Sequence, residues 1–331
     1  MEILINDEKI KFKLETEKNV GEIIKGLESW IVENDNVIES ISIDSVTVPF
    51  DYNCSEFRRS ISLVKELKVI TLPQIELAVN TIVSLGEYIT RILSEYDDSD
   101  SLTYYDSILE GMKLIYSGIV DSLRILNVNS IVIVNRKGIT LKDVLLEMNE
   151  FILIYEKKYI DSEGIKKLKG LLKNMLYFIA IVFKWAVIKN ILFFKDWDKT
   201  RTSSFLGEIF QDLSYVCSNS FQKFDSISKD LQIGEDRKAL GDLCYITELL
   251  DEVISILKIT KIMYTIDFKS MLISDKSIDD LFYEITDRLK SVESAFKNGD
   301  MITVGDVLEY EIKPLFKQIP ELFEKMDNFI K

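Results

Sequence analysis

Ile165–Phe194, IKKLKGLLKNMLYFIAIVFKWAVIKNILFF, is the stretch around which the rest of the chain is organised. It holds an unbroken apolar run from Met175 to Phe183 and no proline, so its spacing predicts one long, mostly buried helix. Its length would also let it cross a bilayer, which takes about 20 apolar residues. The lysines argue otherwise. Lys173, Lys184 and Lys195 recur every eleven residues, close to three helical turns, and Lys166 and Lys169 continue the same stripe. A charge at the centre of the hydrocarbon core costs about 3 kcal/mol, and Lys184 would sit near that centre. The stripe therefore reads as the wet edge of a bundle helix, and no membrane span is expected.

Composition sets the class. The chain has 331 residues, 47% of them hydrophobic and 11% aromatic, which is a globular and not a disordered composition. Four prolines and thirteen glycines are few for this length and point to long helices with short connections. Fifty-five acidic side chains against 41 basic ones leave a net charge of −14, which repels nucleic-acid phosphate and anionic lipid, so no nucleic-acid partner is expected. Cys54, Cys217 and Cys244 are widely spaced with no CxxC, and the N-terminus shows no apolar signal region; both features fit a reducing cytoplasm. Histidine is absent, which excludes the Ser-His-Asp, Cys-His and histidine–metal classes and leaves only carboxylate, lysine or tyrosine chemistry.

The first 73 residues differ from the rest. Ile3 and Ile5 alternate with polar neighbours, Asn6-Asp7-Glu8 turns the chain, and Ile10, Phe12 and Leu14 alternate again, predicting a β-hairpin with one apolar face. Asn19 with Glu22 reads as a helix start, and Val20, Ile23, Ile24, Leu27 and Ile31 then share one side. Ile41, Ile43, Val46 and Val48 give short strands about an Asp44-Ser45 turn, and Glu66–Leu72 gives a last strand stopped by Pro73. This order of hairpin, crossing helix, short strands and final strand, over Met1 to about Leu72, resembles a ubiquitin-like β-grasp domain. The resemblance implies a protein-binding module or a sulfur carrier. Carriers of that type end in an exposed Gly-Gly tail, whereas Thr71-Leu72-Pro73 here runs into a helix, so conjugation and sulfur carriage are not expected. A small α+β cap on the helical body fits the same pattern.

From Gln74 onward the pattern is helical. Helices are expected over about 74–96, 101–126, 140–159, 165–194, 204–231, 237–264 and 277–297, and a last one from Thr303 that Pro314 and Pro320 kink or break. The acidic turn Asp97-Asp98-Ser99-Asp100 reads as capping and not as a calcium loop. Ser130–Asn135, SIVIVN, reads as a β-rich connector without a place. Asn298-Gly299-Asp300 closes a helix in the left-handed manner. Thr140 with Asp143 and Thr303 with Asp306 sit in similar heptapeptides, read as two independent capping boxes rather than a duplication. The expected architecture is α+β, a β-grasp-like domain over 1–73 followed by an all-α bundle of seven or eight helices over 74–331.

No phosphate-loop, dinucleotide, nucleophile-elbow or kinase motif is present, and no cofactor or metal is expected. The best carboxylate cluster is Asp306, Glu309 and Glu311 with Tyr310, read as the acidic first turn of the helix starting at Thr303. Trp185, Trp197, Phe193 and Phe194 read as core. Arg58 and Arg59, beside Phe57, are candidates for a recognition surface. Arg58, Arg59, Asp306, Glu309 and Tyr310 are thus the candidate partner-binding residues. The expected function is a non-catalytic adaptor or assembly protein that binds another protein. One alternative is a carboxylate-based enzyme, or a small-ligand or metal-binding bundle, and it requires acidic residues converging in a buried pocket. The other is a peripheral membrane protein using the lysine-edged helix.

Overall fold

The computed structural model describes residues 1–11, 17–97, 105–135, 137–157, 160–193 and 198–331, which divide into two compact units, Met1–Thr81 and Ile82–Lys331. Phe12 and Leu14 of the expected hairpin, Asp98, Ser99 and Asp100 of the acidic turn, and Phe194, Lys195 and Trp197 lie outside the described residues.

The first unit opens with β1 (Glu2–Ile5) and β2 (Glu8–Lys9), joined by Asn6 and Asp7 at φ 50° and 67°. Two left-handed residues in a two-residue loop match the twist of the paired strands. Helix α1 (Val20–Glu33) is capped by Asn19, whose side chain accepts from the Glu22 N–H, while Glu22 reaches back to the Lys18 N–H at 2.6 Å. The strands β3 (Asn36–Ile43), β4 (Val46–Val48) and β5 (Glu66–Pro73) complete one sheet in the order β2-β1-β5-β3-β4, with β1 parallel to β5 and the other pairs antiparallel. Alternation puts Ile3, Ile41, Ile43, Leu67 and Val69 on one face, where they bury Val20, Ile23, Ile24, Leu27 and Ile31 of α1.

The helix α2 (Gln74–Asp97) follows β5 directly, and the division between the units falls within it. The second unit is mostly helical: α3 (Tyr105–Ile125), α4 (Leu141–Tyr155), α5 (Ser162–Lys189), α6 (Lys199–Asn219), α7 (Phe221–Gln232) and α8 (Asp236–Tyr264) come first. After these come a small hairpin of β6 (Leu272–Ile273) and β7 (Lys276–Ser277), then α9 (Ile278–Lys297) and α10 (Met301–Asp306). A π-helical segment, Val307–Ile312, leads to α11 (Lys313–Phe316) and α12 (Ile319–Ile330).

Several local expectations are corrected. The polar stretch from Lys199 is helical because Asp198 caps α6, accepting from the Thr200 N–H at 2.9 Å. The helix expected over 204–231 breaks at Ser220, a buried residue whose hydroxyl donates to the Val216 carbonyl at 2.7 Å. The SIVIVN connector forms no regular strand; Ile131, Val132, Ile133 and Val134 are buried in irregular chain, tied down by a bridge from Val134 to Thr140 and by the Leu141 N–H, which donates to the Ile133 carbonyl at 2.8 Å. Thr140 and Asp143 form a capping box, but Thr303 does not start a helix. Asp300 caps α10 and accepts from the Thr303 N–H, so the two similar heptapeptides occupy different positions in their helices. Gly299, at φ 71°, supplies the left-handed turn just before it.

Among the described residues, α5 is the one helix long and apolar enough to cross a membrane, and 56% of its most apolar window is buried inside the unit. It packs against α4, α6 and α8. Of the lysine stripe, Lys166 and Lys173 are exposed, and Lys184 pairs with Glu208 of α6; Lys189, outside the stripe, is buried with its ammonium 2.8–2.9 Å from both Glu252 carboxylate oxygens of α8. The Lys189 and Glu252 side chains are only 5% and 8% exposed. Burial pushes the Glu252 carboxyl up despite the neighbouring ammonium. Lys189→Met is expected to cost about 3–5 kcal/mol because it strands a buried carboxylate, whereas Lys189→Met with Glu252→Leu should return to within about 2 kcal/mol of wild type. Urea denaturation of the three proteins checks this; equal losses in the single and double variants would show that the pair is not the cause.

Candidate functional site

The predicted arginines separate into two roles. Arg59 is structural. Its guanidinium donates to Asp44 at 2.8 Å and to the Leu63 carbonyl at 3.3 Å, so it ties the β3–β4 turn to the chain entering β5. The N–H groups of Lys65 and Glu66 hold the Asp44 carboxyl below its usual range, and Arg59 adds to the effect. Arg58 is exposed, at the end of a short 3-10 turn, Glu56–Arg58, whose middle residue Phe57 is buried.

Phe57 brings an aromatic group to the surface that the sequence reading passed over. Phe50 and Tyr52, 46% and 43% exposed, lie 5.6 Å apart between ring centroids, and the Tyr52 ring stands edge-on to Phe57 at 5.7 Å. The Tyr52 hydroxyl donates to Glu28 of α1, and burial together with that carboxylate raises the phenol above its usual range. Two aromatic rings in so short a loop, right after Pro49, were the signal available in the sequence.

Asp306, Glu309 and Tyr310 do come together, though not as a first helical turn. Asp306 ends α10, and Glu309 and Tyr310 belong to the π-helical segment. Pro314 removes the N–H that would bond to the Tyr310 carbonyl, and the turn ahead of it widens. Tyr310 is 68% exposed, and the charge of Glu309, followed by partial burial and that of Asp306, raises its phenol. Glu311 faces away to pair with Arg288 at 3.0 Å.

The largest departure from the sequence reading lies between α5 and α6. The residues Tyr177, Lys184 and Trp185 of α5 and Glu208, Asp212 and Tyr215 of α6, with Val134 and Asn135, line a cleft of about 520 Å³. Glu208 and Asp212 are four residues apart and so share one helix face. Burial, then the charge of Glu208, pushes the Asp212 carboxyl up to about 7, with Lys184 pulling the other way. The Trp185 side chain is fully buried, and its indole N–H has no partner. Gly138, at φ 79°, leaves room for the Tyr215 hydroxyl; a Cβ there would stand 2.6 Å from that oxygen. Asp212 is partly buried where α6 packs against α5, whereas Glu208 stays exposed beside Lys184.

Residues 1–73 match the TP0873 N-terminal domain family, and residues 208–322 match a domain of unknown function, DUF8042. The second match begins at Glu208 and takes in the acidic side of the cleft, while α5 lies outside it. Comparison with curated proteins and with solved structures finds no significant match.

Asp212 also makes stability depend on pH. Its carboxyl rises from 3.8 to about 7 on folding, so the folded chain keeps a proton that the unfolded chain has released, and stability falls as pH rises through that interval. Relative to wild type, Asp212→Asn is expected to gain about 1–2 kcal/mol on going from about pH 4 to about pH 8. Denaturant titrations of both proteins at the two pH values measure it; a difference independent of pH would remove the burial of this carboxyl as the cause.

Proposed function

We propose that the chain is a non-catalytic adaptor or assembly protein that binds another protein through its N-terminal domain. The observation that carries this reading is the half-exposed Phe50–Tyr52 pair, braced from below by Phe57 and flanked by the exposed Arg58. Aromatic rings and arginine are the side chains that dominate the energetics of protein interfaces, and rings already held in place lose little freedom on binding. Arg58 keeps the recognition role assigned from the sequence; Arg59 supports the loop from within.

We read the domain itself as a ubiquitin-like β-grasp. The sheet order β2-β1-β5-β3-β4, the parallel central pair and the single helix laid across one face support that reading. The chain leaves β5 through Pro73 straight into α2, which argues against a carrier with a free tail. The cysteines Cys54, Cys217 and Cys244 are free thiols, which suits a reducing compartment, and we assign the protein to the cytoplasm. The net charge of −14 and the ion-paired Lys184 speak against nucleic-acid and membrane-surface partners. Asp306, Glu309 and Tyr310 offer a second, acidic contact point on the helical unit.

Affinity capture of the tagged chain from its own cell lysate, followed by mass spectrometry, is the direct test. One stoichiometric partner is expected, and the Tyr52→Ala, Arg58→Glu double variant should weaken its binding at least about tenfold with the fold intact by circular dichroism. Undiminished binding by the double variant would move the interface off this surface.

A further inference from the structure

The outer face of α5 changes character along its length. From Lys166 to Lys173 the helix carries Lys166, Lys167, Lys169 and Lys173 and no carboxylate. Lys167 stands 3.7 Å from Glu147 of α4, whereas Lys166 and Lys173 are exposed and, among the described residues, no carboxylate pairs with them. Lys166, Lys173, Tyr177, Ala180 and Lys184 follow one another at helical spacing, so they form one stripe. Tyr177 and Ala180 are exposed, and at Lys184 the stripe enters the cleft, where Glu208 and Asp212 of α6 stand against a single ammonium. The face thus runs from a basic end, across exposed aromatic rings, to an acidic end.

The spacing of these charges is self-complementary. The helices α5 and α6 run antiparallel here, because Lys184 meets Glu208 and, seven residues away on each helix, Tyr177 and Tyr215 line the same cleft. At about 1.5 Å per residue, Asp212 and Glu208 lie about 4 and about 10 Å from the tyrosines toward one end, and Lys173 and Lys166 about 6 and about 16 Å toward the other. A second copy turned by half a rotation about the tyrosines lays its basic end on the first copy's acidic end. We infer that this face binds a second copy of the chain in a two-fold contact, with Tyr177 and Tyr215 at its centre, Lys173 reaching Asp212 and Lys166 reaching Glu208 of the other copy. Long, flexible lysine side chains span the remaining offset, and each contact is made twice. Tyr177 and Tyr215, 46% and 44% exposed, give the contact an aromatic centre inside a charged rim, the usual anatomy of a specific interface.

Other occupants match half of the pattern. An acidic peptide suits the lysines and is repelled by Glu208 and Asp212, and a basic peptide meets the reverse problem. A surface with the same charges in the opposite order satisfies both ends, and this chain carries that surface. Two chains of net charge −14 repel one another overall, so they associate through a face where opposite charges meet locally. The inference goes beyond the adaptor reading and does not depend on it, since the Phe50–Tyr52 surface takes no part in the contact.

Sedimentation velocity of the full chain at about pH 8, where most of Asp212 is ionised, tests the inference. The wild-type chain is expected to dimerise at about 50 μM. The Lys166→Glu, Lys173→Glu chain and the Tyr177→Ala chain should each dimerise at least about tenfold more weakly while folded by circular dichroism. The Glu208→Lys, Asp212→Lys chain should also lose its dimer. Mixing it with the Lys166→Glu, Lys173→Glu chain should restore one, because every reversed charge then meets its opposite. A wild-type chain that stays monomeric up to about 200 μM overturns the inference and gives this face to another protein. A dimer unaffected by either of the first two variants, or a mixture of the folded charge-reversed chains that stays monomeric, overturns it as well. If the Glu208→Lys, Asp212→Lys chain does not fold, the Lys166→Glu, Lys173→Glu and Tyr177→Ala chains still decide the matter.

Discussion

The burial of α5 is the constraint on which the helical unit depends, and the Lys189–Glu252 pair is where it is most demanding. A helix that buries Leu171, Leu172, Met175, Phe178, Val182 and Trp185 needs cover, which α4, α6 and α8 give, while Lys166, Lys173 and Tyr177 stay exposed. That cover carries one ion pair out of water with it. Burial raises the Glu252 carboxyl even though an ammonium stands 2.8 Å away, which means the attraction does not fully offset the lost hydration. The pair is thus a poor source of stability. It is a strong source of register, because sliding α5 by one turn along α8 would leave both charges buried and unpaired.

Register at Lys189 has consequences one turn earlier. Lys184 and Trp185 precede it on α5, and their positions set the far wall of the cleft that α6 closes with Glu208 and Asp212. The same packing that hides the apolar run therefore shapes the place where burial pushes the Asp212 carboxyl up to about 7. Core and cleft are two sides of one helix–helix contact.

The first unit solves a different problem. Its apolar face is covered by a single amphipathic helix, and its irregular loop is held by Asp44, which collects two backbone N–H groups and Arg59. That anchoring lets Phe57 turn inward while Phe50, Tyr52 and Arg58 stay outside. One of two adjacent arginines is used up in the structure, and the other is left for solvent or a partner.

Much of this was present in the residue order alone. Period-two alternation specified the strands, period 3.6 the helices, and Asn19, Thr140 and Ser277 the helix starts, since each of these signals acts within a few residues. Asp198, Ser220 and Asp300 escaped that reading because several side chains within a turn competed to cap or break the helix, and only geometry chose among them. The sites were harder still. Lys184 and Glu208 are 24 residues apart, and Lys189 and Glu252 are 63 apart. A polar residue on a helix reads as solvated until another helix is laid over it. The sequence determined the α+β class, the long central helix and the absence of histidine chemistry, because composition and local periodicity are properties of the chain. The cleft, the raised carboxyl and the division of labour between Arg58 and Arg59 were decided by tertiary packing, because burial and long-range pairing exist only once distant segments meet.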